Sequence, residues 1–231
     1  ADFDRLGELE IGGLAAGVAH EIRNPLSSIK GIASYYKSKF EDGSEDKEMA
    51  GVMIEEVDRL SRVISELLEF ARPTKLNRKL SDMNELLKHS TRLVEQEAAA
   101  KKVDIQLNLT SESIEADVDP DRLTQCFLNL FLNALQAMES GGRLTVSSST
   151  GANGNVAIDI KDNGSGISAE DLSKIFDPYF TTKPKGTGLG LAIVHKIIEA
   201  HQGQIKVRST IGQGTVFSIA LPLGDSEMRL S

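Results

Sequence analysis

Apolar residues recur every three or four positions through the first seventy residues of this chain, and after Pro73 that rhythm stops. Leu14, Val18, Ile22, Leu26, Ile29, Ala33, Tyr36 and Phe40 form one stripe. Met53, Val57, Leu60, Ile64, Leu67 and Ala71 form a second, as a heptad seam of nearly three repeats. Between them Glu41-Asp42-Gly43-Ser44-Glu45 is polar and turn-forming, and Pro73 stops the second helix. Two helices joined by a short turn make an antiparallel hairpin. Its two stripes supply only half a core, so the pattern predicts an obligate homodimer closing a four-helix bundle. A monomeric hairpin packed on the rest of the chain is the alternative.

Beyond Leu76 the signals alternate. Asp82 can cap a helix from Asn84 to about Ala100, and Val103 to Leu109 alternates as a strand. Asp119-Pro120 opens a helix running to Met138. Strands are expected over Leu144–Ser148 and Val156–Lys161, then a loop-rich stretch to Gly190 and a helix to about Ala200. Two closing strands follow, Gln204–Arg208 and Thr215–Leu221. Irregular mixing of strands and helices predicts an α+β sandwich with helices on one face of a mixed sheet. The absence of Trp among 231 residues, with 5% aromatics, favours aliphatic helix packing over a large all-β fold.

Net charge of -8 argues against nucleic acid or an anionic membrane surface as partner. The lone Cys126 sits in a helical apolar run, so no intrachain disulfide or thiol zinc site is possible, and a buried, inert, cytoplasmic thiol is expected. No apolar run reaches the roughly 18 residues of a membrane span, and no signal-peptide pattern opens the chain. Phe3, Leu6 and Leu9 already carry helical spacing, so residues 1–11 are read as the end of an upstream signalling helix.

His20 stands in Ala19-His20-Glu21-Ile22-Arg23-Asn24-Pro25. At roughly 100° per residue it lies about 200° from Val18 and from Ile22, away from the apolar stripe. A solvated imidazole is largely neutral near pH 7 and nucleophilic. For the heptapeptide alone, a solvated surface histidine is the better reading.

Four clusters follow. Asn129 and Asn133, four residues apart, share a helix face, and Asn133 offers a neutral oxygen to Mg²⁺. Asp162-Asn163-Gly164-Ser165-Gly166 follows a strand; its carboxylate can accept from an amine such as adenine N6, and its glycines would let backbone approach the base. Ile175 to Lys183 carries Phe176, Tyr179 and Phe180 to pin a loop, then Thr182 and Lys183 for a phosphate. Gly186-Thr187-Gly188-Leu189-Gly190-Leu191 opens a helix with bare backbone N–H groups, an anion site. It is neither a dinucleotide fingerprint nor a P-loop, because a polar loop precedes it and no G-K-[ST] follows.

In this order and spacing the clusters resemble the N, G1, F and G2 boxes of the GHKL (Bergerat) ATP-binding fold. Together with His20-Glu21-Ile22-Arg23-Asn24-Pro25-Leu26 the chain resembles the bacterial two-component sensor histidine kinases. The wording is nearest the nitrogen-regulatory NtrB-type group and, among these, the zinc-responsive ZraS-like sensors. The resemblance implies a dimerisation and phosphotransfer hairpin over 12–73, a catalytic ATP-binding domain over 74–223 and a tail over 224–231. It implies ATP and Mg²⁺ as ligands, with Mg²⁺ on Asn133, His20 as phosphoacceptor and Glu21 as its base. Asp162 would select adenine, and Lys183 with Gly186–Gly190 would hold the triphosphate. The partner would be a response-regulator receiver domain. The fragment itself would lie in the cytoplasm without touching a membrane, and the full-length protein would be membrane-anchored.

Related ATPases carry a water-activating glutamate where this chain has Asn129, so hydrolysis should be slow. Asn24, one turn past His20, would position water to dephosphorylate the regulator. Pro25, with Gly12, Gly13 and Gly17, weakens the helix around His20 and suggests a hinge between kinase and phosphatase states. Gln136 departs from the basic residue many relatives carry, leaving Lys183 and Lys185 more of the phosphate charge. A GHKL ATPase doing mechanical work and a kinase-dead dimeric scaffold are the competing readings.

Overall fold

The computed structural model describes residues 2–71, 75–139, 141–151, 155–183 and 186–223, with side chains from Glu21 onward. The described chain forms two compact units, Ala1–Pro73 with Thr181–Leu189, and Thr74–Phe180 with Gly190–Ser231. No described helix is long and apolar enough to cross a membrane.

The first unit is the expected hairpin, with α1 over Asp2–Lys39 and α2 over Glu45–Ala71. Its burial sorts the stripes by sevens. Leu26 and Ala33 of α1, and Ala50 and Val57 of α2, are buried within the hairpin. Ile22, Ile29 and Tyr36, and Met53, Leu60 and Leu67, stay exposed at the same interval. One seam thus closes the hairpin and the other is left uncovered in a single chain. Arg23 donates to Ser65 Oγ at 3.1 Å, and Lys30 pairs with Asp58 at 2.6 Å. The α1 helix runs unbroken through Pro25.

The second unit is the mixed sandwich. Strands β1 (Lys79–Asp82) and β3 (Glu115–Val118) pair antiparallel in a small sheet. The main sheet has the order β2-β4-β5-β7-β6, with β2 (Val103–Asn108), β4 (Gly142–Thr150), β5 (Asn155–Asp162), β6 (Gln204–Thr210) and β7 (Gly214–Pro222). Only β2 and β4 run parallel, and the other pairs are antiparallel. Leu144 and Val146 of β4, and Val156, Ile158 and Ile160 of β5, point to one buried face. Helix α5 (Pro120–Ala137) lays Leu123, Phe127, Leu130 and Phe131 into that core. Burying each such side chain stabilises the unit by about 1.5–3 kcal/mol. Cys126 is fully buried among them, and desolvation pushes its thiol far above the ordinary value.

Three expectations need correction. The helix expected over 84–100 is two, α3 (Met83–Arg92) and α4 (Glu95–Ala100), because the chain leaves helical geometry at Val94, whose φ is -110° and ψ 2°. Val94 is buried, so packing fixes the break. The β1–β3 pair is an addition to the expected strands, since four-residue strands carry too little alternation to read. A one-turn helix, α6 (Ala169–Leu172), interrupts the loop-rich stretch. Both carboxylate caps form: Asp82 accepts from Asn84 and Glu85 N–H, and Asp119 from Asp121 and Arg122 N–H.

Helix α7 (Gly190–Ala200) packs on α5 and is followed by His201, buried at 2% exposure. Its Nδ1–H donates to the Ile197 carbonyl at 2.8 Å, and its Nε2 accepts the Asp119 N–H at 3.0 Å. Both nitrogens are occupied in the neutral ring. Desolvation holds its pKa below the ordinary 6.5; the Arg78 charge adds to this, while the Ile197 carbonyl, Asp119 and Asp117 oppose it. A folded pKa below the unfolded value gives stability that is full above pH 6.5 and is lost as pH falls through the lower folded value. Melting temperature should therefore drop on acidification below pH 6.5 more steeply in the parent than in His201→Gln; identical slopes would remove His201 from this role.

Candidate nucleotide and phosphoacceptor sites

Asn129 and Asn133 project from α5 one turn apart, both half-buried. Asn129 Nδ2 donates to the Gly190 carbonyl at 3.3 Å, fastening the start of α7 to α5. Its amide thus has a structural task that a carboxylate, lacking a donor, could not perform.

Asp162 ends β5 and is 4% exposed. Its Oδ1 accepts the Gly164 N–H at 2.8 Å and the Thr215 N–H at 3.2 Å. Burial raises its carboxyl above the usual range, and these backbone donors pull it back. Both donors sit on one oxygen of a buried, oriented carboxylate, a geometry suited to an N–H donor from a ligand at the other. The glycines beside it have a cause other than the one expected. A Cβ on Gly164 would lie 2.7 Å from the Ala137 carbonyl oxygen, and one on Gly166, at φ +73°, would collide with the Thr210 carbonyl. The chain's own backbone fills that space.

In the third cluster, Ile175 is buried and the Phe176 ring lies 5.4 Å from the His195 ring and 6.5 Å from Phe217. Tyr179 is exposed at a φ of +67° and pins nothing, while Phe180 is half-buried. Phe176 thus has ring partners in the body of its unit, and one of them, His195, carries no signal in the sequence.

The glycine segment belongs to the first unit up to Leu189. Thr181 Oγ1 accepts the Lys183 N–H at 3.1 Å, and the Gly186 N–H bonds the Lys183 carbonyl at 3.0 Å. Thr182 and Lys183 are exposed. The Thr187 hydroxyl donates to the Glu66 carboxylate of α2 and accepts the Leu189 N–H at 3.3 Å. Gly188 has a φ of +73° and Leu189 is buried. Lys185 lies outside the described residues.

On α1, Glu21 and Asn24 are exposed, as a proton acceptor and a water-positioning amide would have to be. His20 is on the same helix; its expected direction concerns a side chain outside the described residues. Among the described residues no group of three or more His, Cys, Asp or Glu side chains is placed to hold a metal. A divalent ion here would need nucleotide phosphates and water, with a neutral oxygen such as that of Asn133.

Residues 10–75 match the family described as "His Kinase A (phospho-acceptor) domain", and residues 118–225 "Histidine kinase-, DNA gyrase B-, and HSP90-like ATPase". The sensor histidine kinase ZraS of Escherichia coli (strain K12) is 50% identical over 213 residues, covering 92% of this chain and 46% of that protein. The chain belongs to the sensor histidine kinases. It spans about half the length of the curated relatives it matches. Full-length ShkA, solved in complex with AMPPNP, superposes with a TM-score of 0.78 at 28% identity, over 93% of this chain and 46% of that one. Histidine kinase ThkA, solved in complex with the response regulator protein TrrA, gives 0.69 at 31% identity, over 96% and 64%. His20 lies within the phospho-acceptor match, and Asn129, Asn133, Asp162 and the glycine segment within the ATPase match.

Asp162→Asn keeps an oxygen for Gly164 and Thr215 and removes the buried charge. A carboxyl whose folded pKa is raised loses its stabilising contribution as pH rises through that value. At pH 7 the nucleotide-free variant should therefore melt no lower than the parent, while adenine-nucleotide affinity falls by roughly tenfold or more, the worth of a hydrogen bond to a charged group. Unchanged affinity in a fluorescent-nucleotide titration would leave Asp162 a purely structural role.

Proposed function

We propose that this chain is the ATP-dependent autophosphorylating core of a two-component sensor, with His20 as the phosphoacceptor and an aspartate of a response regulator as the next acceptor. The observation that carries this is the joining of a phospho-acceptor hairpin to an ATPase-type site whose Asn129 is an amide fastened to Gly190. ATP is the substrate. Asp162 accepts a hydrogen bond from the adenine amine, Asn129, Phe176 and Phe180 shape the pocket, and Gly164 and Gly166 serve it by letting the turn after Asp162 pack on Ala137 and Thr210. Thr182, Lys183 and the Gly186-Thr187-Gly188-Leu189-Gly190 segment hold the phosphates. Asn133 would offer its neutral oxygen to a Mg²⁺ ion that arrives with the nucleotide, and such an ion would supply charge neutralisation to the transferring group.

One nitrogen of neutral His20 attacks the γ-phosphorus. An N–P bond forms, the bond from phosphorus to the β–γ bridging oxygen breaks, and ADP leaves with its electron pair. Glu21 accepts the hydrogen bond, and then the proton, of the other ring nitrogen as the ring becomes cationic. Asn129 cannot act as a base toward water, so little of the phosphoryl group is lost to hydrolysis. Residues 12–73 form the phosphotransfer hairpin and 74–223 the catalytic domain. A second copy covers the Ile22, Ile29, Tyr36, Met53, Leu60 and Leu67 seam, because six exposed apolar side chains in two heptad rows fit a four-helix bundle. The chain is the cytoplasmic part of a membrane-anchored protein, with residues 1–11 arriving from its sensing portion.

Incubation with γ-labelled ATP should give one acid-labile, alkali-stable label per chain, lost in His20→Ala. Steady phosphate release without label would instead mark an ATPase, and nucleotide binding with neither would mark a scaffold. Asn24 positions the water that hydrolyses the regulator's phosphoaspartate to aspartate and phosphate, and α1 near Pro25 bends between the two states. Pro25→Ala, which restores a backbone N–H to the Glu21 carbonyl, should shift the ratio of autokinase to phosphatase activity by about threefold or more, a small part of the ~3 kcal/mol that proline costs a helix interior relative to alanine; an unchanged ratio removes the hinge.

A further inference from the structure

Helix α7 is tied to α5 at both of its own ends, once at the middle of α5 and once at the α5 N-cap. At one end Asn129 bonds the Gly190 carbonyl, and at the other the Asp119 N–H bonds His201. Ten residues of α5 and eleven of α7 separate these ties, about 15 Å along each axis, and the helices therefore run antiparallel. The first tie lies in the nucleotide site. The second receives the chain that arrives from α2. Asp119 uses Oδ1 to cap α5 and Oδ2, at 2.7 Å, to accept the Asn77 N–H. Arg78 donates to the Ala200 carbonyl, the last residue of α7, at 3.2 Å. Consecutive residues thus grip both helices, and His201 and Asp119 at the grip are buried.

We propose that Asn77 and Arg78 form a bracket that makes them positioning residues for phosphoryl transfer. Helix α2 ends at Ala71, so the bracket leaves six Cα steps to Asn77, an extended reach of about 22 Å. With the bracket open, the next anchor is Lys79 on β1, eight steps away and about 29 Å in reach. Closing it cuts the volume open to the catalytic unit by roughly half. It also fixes the direction in which the chain leaves the pair of helices that carries Asn129 and Gly190, and so the presentation of the γ-phosphate.

The bracket rests on the kinase reading, and it has a readout of its own. In the full chain, Arg78→Ala and Asn77→Pro, which deletes the bonded N–H, should leave ATP-analogue affinity within about twofold and lower the autophosphorylation rate at saturating ATP by about threefold or more. Arg78→Lys, which can still donate to the carbonyl, should restore most of it. Rates equal to the parent's in both variants would overturn the proposal, and so would a loss of affinity matching the loss of rate. If the parent takes up no label, the kinase reading falls, and exchange of the Asn77 amide decides the bracket. That exchange should be slowed in the parent, further slowed by ADP, and about tenfold faster in Arg78→Ala. Equal exchange in parent and variant, with and without ADP, overturns it.

Discussion

The antiparallel contact of α5 with α7 is the constraint on which the catalytic unit depends. α5 is the central core helix, with Phe127 and Phe131 stacked at 6.3 Å and wholly buried. α7 adds Ile193, Val194, Ile197 and Ile198 beside it. Apolar burial holds the pair together, but burial has no direction and tolerates sliding. Two polar ties set the register. Asn129 with Gly190 fixes the start of α7, and Asp119 with His201 fixes its other end. A slip of one residue along either helix would leave a buried donor or acceptor unmatched, at a cost of about 1–3 kcal/mol each.

The hairpin depends on a different balance. Its inner row, Leu26, Ala33, Ala50 and Val57, includes two alanines, which let the helices approach closely but bury little area. The larger side chains, Ile22, Ile29, Met53, Leu60 and Leu67, stand in the outer row and remain exposed in one chain. Most of the apolar burial available to this unit therefore lies in an association with another surface. An outer seam that carries the stability can also transmit a change of packing along its length, which suits the proposed sensor role.

Legibility in the sequence follows the range of each interaction. Helix caps are readable because Asp82 and Asp119 act on N–H groups two and three residues ahead. The mixed sheet and its helices are readable from periodicity. The Val94 break is not, since Leu86, Val94 and Ala98 continue one apolar stripe and only tertiary packing separates α3 from α4. The β1–β3 pair sets Lys79 against Val118 and Asp82 against Glu115, partners too distant along the chain for any local pattern to join them. The task of His201 is not legible locally, because the group its Nε2 serves is a backbone N–H 82 residues away. At the site, residue identities are legible and their reasons not always so. Gly164 and Gly166 read as room for a ligand, whereas Ala137 and Thr210 of the same chain require them.

Asn129 shows why identity and reason have to be separated. From the sequence its importance is negative, as an amide where a base would let water compete for ATP. In the structure it has a positive role as well, since its Nδ2–H closes on the Gly190 carbonyl at 3.3 Å. A glutamate there would lose that donor and set a carboxylate against a carbonyl oxygen, which favours an open start to α7. On the proposed reading the one side chain therefore couples two properties that are separable in principle: low reactivity toward water and a closed start of α7 on α5. Converting such a site to a hydrolase would require a new donor for Gly190 in addition to a new base, because the amide that withholds the proton acceptor also holds the helix in place.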